Sequence, residues 1–581
     1  MHGRVKLKST AQQEEEKRKE KEKKLKIYLT TRDACFNKRK EGVLDEEALQ
    51  LSQQLLASNP DFATLWNYRR EILLYLETVR SEDEVQRLYE EELNFLETCL
   101  KMNPKSYGSW HHRGWVSSRL PRPDWARELG LCDRYLYHDD RNFHCWDYRR
   151  LVVKMSGVPI EQELQFTDRL IGSNFSNYSS WHYRSTLLPL LAPGSAESSS
   201  PQRECSSPTS SPQMHSHRVC EERLLKEYEL VQNAFFTDPN DQSAWFYYRW
   251  LLGRAEREEM ISCVYVSREG ERVVVAFSRP VNALSVGFLL VVDGQPLQVD
   301  WRSAHSCVRH SPVWICELPP GTISDTSNEH NLTVTWTEKR THRDCALYSG
   351  RAESWCRDSA TDLELFRSEL SVEKSSVLQS ELQSCTQLLE LEPQNKWCLL
   401  TIILLMRALD PLAYEKETLA HFQILKEVDS MRSSYYSDLC SKFMIENTIL
   451  KMEYAEVRVF SLCDKSLSTL CHLDQLLLVT HINLSSNQLL RLPPQFAMLQ
   501  CLEVLQADNN IIEDLEGLRH LPRLEEVSLR NNRLSRLSDL RPLTTCPKLT
   551  RLDLRGNPIA QATSIRSELA DMLPSATDLL L

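Results

Sequence analysis

Apolar residues fall at helical spacing through the first half of the chain. Leu51, Leu55 and Leu56, then Leu88, Leu93, Leu96 and Leu100, predict the buried stripes of amphipathic helices from about residue 28 to 257. Between 260 and 348 the period drops to two. RVVVAFSRPV, VGFLLVVDGQPLQVDW, SPVWICELPPG and NLTVTWT read as strands broken by Gly, Pro and Asp turns, with Val273, Val275 and Phe277, then Leu332, Val334 and Trp336, on alternate positions. Such a series of short strands predicts a small β-sandwich. Helical spacing returns over 362–453 (Leu363, Phe366, Leu370; Leu382, Cys385, Leu388, Leu389), so the sandwich interrupts one helical domain. From about 454 the rhythm is leucine-rich. THINLSSNQL, LEVLQADNNII, LEEVSLRNNRL and LTRLDLRGNPI place Asn487, Asn510, Asn532 and Asn557 at spacings of 23, 22 and 25, and a degenerate fifth copy puts Lys465 22 residues before Asn487. These turns are expected to form a separate solenoid, their asparagines bonding the backbone of adjacent turns.

A single phrase recurs along the helical region: NPDFATLWNYRR, NPKSYGSWHHRGWVS, DRNFHCWDYRR, SNFSNYSSWHYR and DPNDQSAWFYYR, with a fainter sixth copy, EPQNKWCLL, around Trp397. Its centres are Trp66, Trp110, Trp146, Trp181 and Trp245, spaced by 44, 36, 35 and 64. The last spacing falls to the mid-thirties once a Ser/Pro-rich insert at 192–218 is set aside, and that period marks stacked helical hairpins. The insert contains SSSP and SSPTSSP and predicts a disordered segment with Ser-Pro steps open to phosphorylation. The tryptophans read as core anchors. The arginines three places on (Arg69, Arg113, Arg149, Arg184) are expected to satisfy carbonyls at a neighbouring helix end or to stack on the tryptophan ring. Asn59, Asn103 and Asp238 are expected to cap the helices that follow, with Pro60, Pro104 and Pro239 at the first helical position. His111 and His112, flanking Trp110, read as interface or cap residues.

Composition narrows the function. A chain of 581 residues with net charge −11 and no basic stripe argues against nucleic acid as the main partner. The 18 cysteines contain no C-x-x-C pair, which removes the usual zinc spacings and suits a reducing, cytoplasmic compartment. The longest apolar run, Trp397–Met406, is too short to span a bilayer, and no signal-peptide pattern opens the chain. No glycine-rich phosphate loop, G-x-S-x-G turn or H-E-x-x-H pair occurs, so a complete active site in this chain alone is not expected. A charged run over 14–24 reads as a solvated helix or a tail ordered on a partner. His2, ahead of it, reads as an ordinary disordered histidine or, more sharply, as a tail ligand reaching a partner's metal.

The phrase P-x-x-Y/F-x-x-W-x-x-R, most complete at Pro104, Tyr107, Trp110 and Arg113, resembles the prenyltransferase alpha-subunit repeat of the farnesyl- and geranylgeranyltransferases. With an inserted immunoglobulin-like sandwich and a leucine-rich C-terminal region, the whole resembles the alpha subunits of animal Rab (type II) geranylgeranyltransferases. The resemblance implies a mainly α, multidomain chain: helical repeats over 1–257, sandwich over 258–352, continued helices over 353–453 and leucine-rich repeats over 454–581. It implies an obligate heterodimer in which the beta subunit carries the Zn2+ and the prenyl pocket. The donor is geranylgeranyl diphosphate, and the acceptors are C-terminal cysteines of Rab GTPases presented by an escort protein. It places Lys105, Tyr107 and His144 at the diphosphate-side rim. Phe143, where farnesyltransferases carry Tyr, lacks a hydroxyl. The other reading is a non-enzymatic scaffold of helical and leucine-rich repeats.

Overall fold

The computed structural model describes all residues except 1–10, 192–220, 253–259, 283–286, 305–307, 326, 340, 358–374, 453–457 and 563. The Ser/Pro insert and His2 therefore lie outside the described residues. The chain forms two compact units, 1–234 with 241–247 and 235–240 with 248–581.

The first unit opens with α1 (Ala11–Lys40). Hairpins follow: α2 (Glu46–Ser58) with α3 (Ala63–Val79), α4 (Glu82–Met102) with α5 (Tyr107–Arg119), α6 (Trp125–His138) with α7 (Phe143–Ser156), and α8 (Ile160–Ser173) with α9 (Tyr178–Leu187). The division between units falls within the fifth pair, α10 (Glu221–Thr237) and α11 (Gln242–Leu252). All five repeat tryptophans are buried. In four of them the indole Nε1 donates to the carbonyl six residues back: Trp66 to Pro60, Trp110 to Pro104, Trp146 to Asp140 and Trp181 to Phe175, at 2.7–2.9 Å. The ring thus fills the core and ties down its own turn. Truncating one would cost about 3–5 kcal/mol.

Three expectations about the repeats need correction. Asn59 and Asn103 do not start helices; they end α2 and α4 as C-caps, and α5 begins behind its true cap, Ser106. Proline disfavours the helical region for the residue before it, so each Asn-Pro step stops the first helix of a pair. The caps that open α5, α7 and α9 are Ser106, Asn142 and Asn177. The arginines do reach carbonyls (Arg69 to Leu49, Arg113 to Leu93, Arg184 to Leu164), but of residues within α2, α4 and α8 rather than at a helix end, and the rings that Arg69 and Arg149 lie over are those of Phe95 and Phe166. Their main partner, however, is a carboxylate: Arg69 with Glu92, Arg113 with Glu128, Arg149 with Glu163 and Arg184 with Glu227, all buried. Each Glu also receives a hydrogen bond from the residue two after the next tryptophan, from Tyr148, Tyr183 and Tyr247 to Glu128, Glu163 and Glu227, while His112 bonds Glu92. His112 is therefore a core residue and not a cap or interface residue, whereas His111 meets Arg70 at the surface. The signal was present: each of these glutamates stands 18 residues before a tryptophan.

In the second unit, α12 (Ser375–Leu391) and α13 (Lys396–Leu409) form the sixth hairpin, followed by α14 (Glu415–Val428) and α15 (Ser433–Leu450). Asn395 caps α13, and the residue four places on, where earlier copies have tryptophan, is the buried Leu399. Trp397 is not the anchor; it is half-buried beneath Arg249. Glu381, 18 before Leu399, receives the Tyr248 hydroxyl, so a tyrosine stands where the arginine stood.

The sandwich has one sheet in the order β5-β6-β2-β1-β9 and another in the order β4-β3-β7-β8. The strands are β1 (Ile261–Ser267), β2 (Arg272–Val281), β3 (Phe288–Val292), β4 (Gln295–Leu297), β5 (Arg302–Ser303), β6 (Ser311–Glu317), β7 (Glu329–Trp336), β8 (Thr341–Tyr348) and β9 (Glu353–Arg357). β9 pairs antiparallel with β1 and lies past the limit expected at 352. Six short parallel strands, β10 (Val459–Ser461), β11 (His481–Asn483), β12 (Val504–Gln506), β13 (Glu526–Ser528), β14 (Arg551–Asp553) and β15 (Asp578–Leu580), make the leucine-rich sheet. The asparagine ladder is complete. Asn510 Nδ2 donates to the carbonyls of Leu484 and Ala507 while its Oδ1 accepts from Leu489 N–H, and Asn487, Asn532 and Asn557 repeat the pattern.

The leucine-rich turns do not form a separate solenoid. Alternate residues of the larger sandwich sheet divide between two cores. Val264, Val266, Val273, Val275, Trp314 and Cys316 face the other sheet, whereas Cys263, Tyr265, Val274, Ala276, Val313 and Ile315 join the leucine-rich core. Unbroken apolar runs such as VVVAF and VWIC announce a sheet covered on both faces. At the seam, Glu353 pairs with Arg458 and Arg523 and accepts from Tyr265.

Candidate functional site at the hairpin turns

The turn between α4 and α5 is held by bonds from side chains to the backbone that leave the Lys105 and Tyr107 side chains unused. Asn103 Oδ1 accepts from Lys105 N–H at 3.1 Å, and Ser106 Oγ accepts from Ser109 N–H and donates to the Pro60 carbonyl of the previous turn at 3.2 Å. The Pro104 carbonyl takes both the Trp110 indole and the Asn142 amide. A Cβ at Gly108 would lie 2.5 Å from Trp66 Nε1, so glycine is what lets α5 close onto the preceding tryptophan. With the backbone held this way, Lys105 and Tyr107 project outward, the lysine side chain 65% exposed and the tyrosine 70%.

The third predicted residue sits differently. His144 is the second residue of α7 and is buried, its ring centroid 4.2 Å from that of Tyr107 in an edge-on contact and 3.9 Å from that of Phe143. Burial pulls its imidazole below the ordinary pKa, Asp147 opposes this, and the Lys105 charge lowers it further. A neutral imidazole therefore underlies an exposed phenol at neutral pH. Lys105 Nζ lies 3.0 Å from Asp139 Oδ2, a partner that the sequence pattern does not single out. The three predicted residues are thus neighbours across two successive turns, presenting a cation, a phenol and a ring that is not charged. Such a set can hold the oxygens of an anion without a metal of its own.

The family model for the protein prenyltransferase alpha subunit repeat matches residues 45–76, 89–120, 125–156, 160–191 and 224–255. That for the Rab geranylgeranyl transferase alpha-subunit insert domain matches 261–360, and a leucine-rich repeat model matches 468–579. Geranylgeranyl transferase type-2 subunit alpha of Sus scrofa is 57% identical to this chain over 582 residues, covering 100% of both. The proteins of that name from Homo sapiens and Mus musculus match to the same extent. This chain belongs to the geranylgeranyl transferase type-2 alpha-subunit family. Helical repeats, insert and leucine-rich repeats match along a single chain, in the order seen in the fold. Among the described residues of this family member, no three His, Cys, Asp or Glu side chains gather as a metal site, and no helix is long and apolar enough to cross a membrane.

Proposed function

We propose that the chain is the alpha subunit of a heterodimeric, cytoplasmic protein prenyltransferase. In this reading the beta subunit holds the zinc and the prenyl pocket, and the pair transfers geranylgeranyl groups from geranylgeranyl diphosphate to C-terminal cysteines of Rab GTPases presented by an escort protein. The cysteine sulfur attacks carbon 1 of the donor, a thioether forms, and the C–O bond breaks with departure of diphosphate. Lys105, Tyr107 and His144 act on the leaving side. The ammonium and the phenol face negative charge as it builds on the diphosphate, while the neutral His144 ring holds Tyr107 from beneath. The observation that carries this reading is identity over the full length of chains named as that subunit. The turn geometry supports the assignment of residues, and the free, mostly buried thiols suit the compartment.

The test is transfer of labelled geranylgeranyl by the chain alone and with a beta subunit, followed by Lys105→Ala in the heterodimer. The isolated chain is expected to transfer nothing and the pair to transfer efficiently. Lys105→Ala should slow single-turnover transfer about tenfold, about 1.4 kcal/mol, with an unchanged melting temperature, because an exposed lysine carries little packing. Absence of transfer in the assembled pair would favour the scaffold reading. A wild-type rate in the lysine variant would remove Lys105 from the reacting centre.

A further inference from the structure

We infer that Asp139 is a positioning residue for Lys105 in the transfer reaction, an inference that rests on the assignment of Lys105 to the diphosphate side. Lys105 is exposed and its side chain is long and flexible, so by itself its charge has no fixed place. Asp139 supplies one. It is the C-cap of α6, its own N–H donates to the Tyr135 carbonyl at 2.9 Å, and its carbonyl accepts from Asn142 N–H at 3.1 Å. Of its two carboxylate oxygens, Oδ1 accepts from Arg141 N–H at 3.2 Å, and Oδ2 meets Lys105 Nζ at 3.0 Å. One oxygen fixes the carboxylate to the backbone and the other holds the ammonium.

The neighbouring turns show what is special about this one. At the preceding junction the cap is an amide: Asn103 Nδ2 donates to Asp61 Oδ2 of the turn before, at 2.8 Å. At the following junction Asn174 Nδ2 donates to Asp140 Oδ2, again at 2.8 Å. In both, an uncharged cap donates to a carboxylate on the preceding turn. Between α4–α5 and α6–α7 the polarity is reversed, since the preceding turn carries the lysine and the cap carries the carboxylate. An acid at a helix C-terminus faces the negative end of the helix dipole and is unfavourable there unless a cation offsets it. Asparagine would serve the cap equally well, as at residues 103 and 174. Aspartate also stands at 238, after α10, and caps α13 at 410, so the carboxylate at 139 is assigned to the lysine by the 3.0 Å contact of its Oδ2 with Lys105 Nζ. The same bridge bears on Tyr107, because the lysine held by Asp139 and the ring held by His144 project from the two ends of one short segment, 105–107.

The experiment is a double-mutant cycle in the alpha–beta heterodimer: wild type, Asp139→Asn, Lys105→Ala and the double variant. Each is measured by single-turnover transfer at saturating geranylgeranyl diphosphate, KM for that donor and melting temperature. Asparagine keeps the acceptor for Arg141 N–H and the cap, so the fold is preserved while the charge that anchors the ammonium is lost. Asp139→Asn is expected to slow transfer about threefold, the scale of one exposed ion pair, with an unchanged melting temperature and a KM within about twofold. In the Lys105→Ala background it should cause no further loss, because it acts only through that lysine. Asp139→Glu should recover part of the rate. An unchanged rate for Asp139→Asn beside a tenfold loss for Lys105→Ala would overturn the inference and leave the lysine assignment standing. So would losses that multiply in the double variant, or a faster Asp139→Asn enzyme, which would mean that the carboxylate masks the lysine. A wild-type rate for Lys105→Ala would overturn both.

Discussion

Between neighbouring helical hairpins the side-chain pair that repeats across the core is charged, as with Arg113 on Glu128 and Arg149 on Glu163. Between neighbouring leucine-rich turns they are neutral, as with Asn510 on the carbonyls of Leu484 and Ala507. Both regions stack repeats, and both must satisfy polar groups that no water reaches. The difference lies in what each joint must align. A leucine-rich turn exposes backbone at its bend, and one amide can both donate to and accept from it. Within a helix the backbone is already paired, so beyond the turn carbonyls of Pro60 and Pro104 that Ser106 and Asn142 reach, two hairpins are keyed through side chains, and a bidentate Arg–Glu pair fixes both distance and orientation. The leucine-rich turns gain a further wall from the sandwich, whose larger sheet shares their core. The hairpins leave their turn side chains outward, which is where Lys105 and Tyr107 lie.

The most severe way to break this comparison is to delete 454–581. The deletion would bare Cys263, Tyr265, Val274, Ala276, Val313 and Ile315 on the larger sandwich sheet. An apolar sheet face of that kind aggregates or unfolds when uncovered. The truncated chain is expected to be poorly soluble or to lose the melting transition of the second unit. A truncation that stays monomeric and melts like the full chain would mean that the sheet needs no cover.

Next in size is the contrast between the two kinds of joint. Arg113→Ala leaves Glu128 buried without its cation and should cost about 3–5 kcal/mol. Asn510→Ala strands the neutral Leu489 N–H, while the carbonyls of Leu484 and Ala507 keep Asn487 and Asn532 as donors, and should cost about 1–3 kcal/mol. Urea melts of the two variants check this, and equal losses would show that charge is not what distinguishes the joints.

How much of this is legible in the sequence follows from periodicity. The tryptophan phrase and the asparagine ladder repeat at fixed spacing, so both sets of repeats can be read, as can the exposure of Lys105 at a turn. The glutamates repeat just as regularly, but a glutamate on a helix is ordinarily a solvated residue, and nothing marks Glu128 as buried until the arginine across from it is placed. Asp139 is hidden for a similar reason, since an acid in a polar turn looks like any cap and its lysine lies 34 residues earlier. The sandwich misleads in the other direction. Val273, Val275 and Phe277 taken alone give one buried face, and the residues between them are equally apolar. His144 is legible as a neighbour of the site and not as a buried one, because the contacts of its ring with Tyr107 and Phe143 appear only in the folded turns.

The smallest effect at neutral pH, and the sharpest test of charged against neutral joints, is acid sensitivity. In the second repeat His112 stands where later repeats have Tyr148, Tyr183 and Tyr247, and it contacts Glu92 on α4 with Arg69 and Arg70 of α3 and His111 nearby. Burial lowers the His112 pKa, with Glu92 opposing and the two arginines assisting. The folded state then resists a proton that the unfolded chain accepts below about pH 6.5, so stability declines as the pH falls from there. Burial alone would raise the Glu92 pKa, but Arg69 and His112 hold it down to about 2. Its contribution is present above the unfolded value of 4.5 and is lost as the pH falls toward 2. Both groups make the unfolded state bind more protons, so both slopes have the same sign. Melting temperatures of the first unit's transition are expected to fall in two stages, beginning at about pH 6.5 and again below about pH 4.5. His112→Tyr, which gives this repeat the residue of its neighbours, should shrink the first stage to the share left by His144, whose pKa burial also lowers, and keep the second. The cost of Asn510→Ala should not change between about pH 7 and pH 5, because the asparagine ladder has no side chain that titrates there. If His112→Tyr retains the full slope over that range, the loss arises elsewhere, and the joint at Glu92 is not where this fold senses acid.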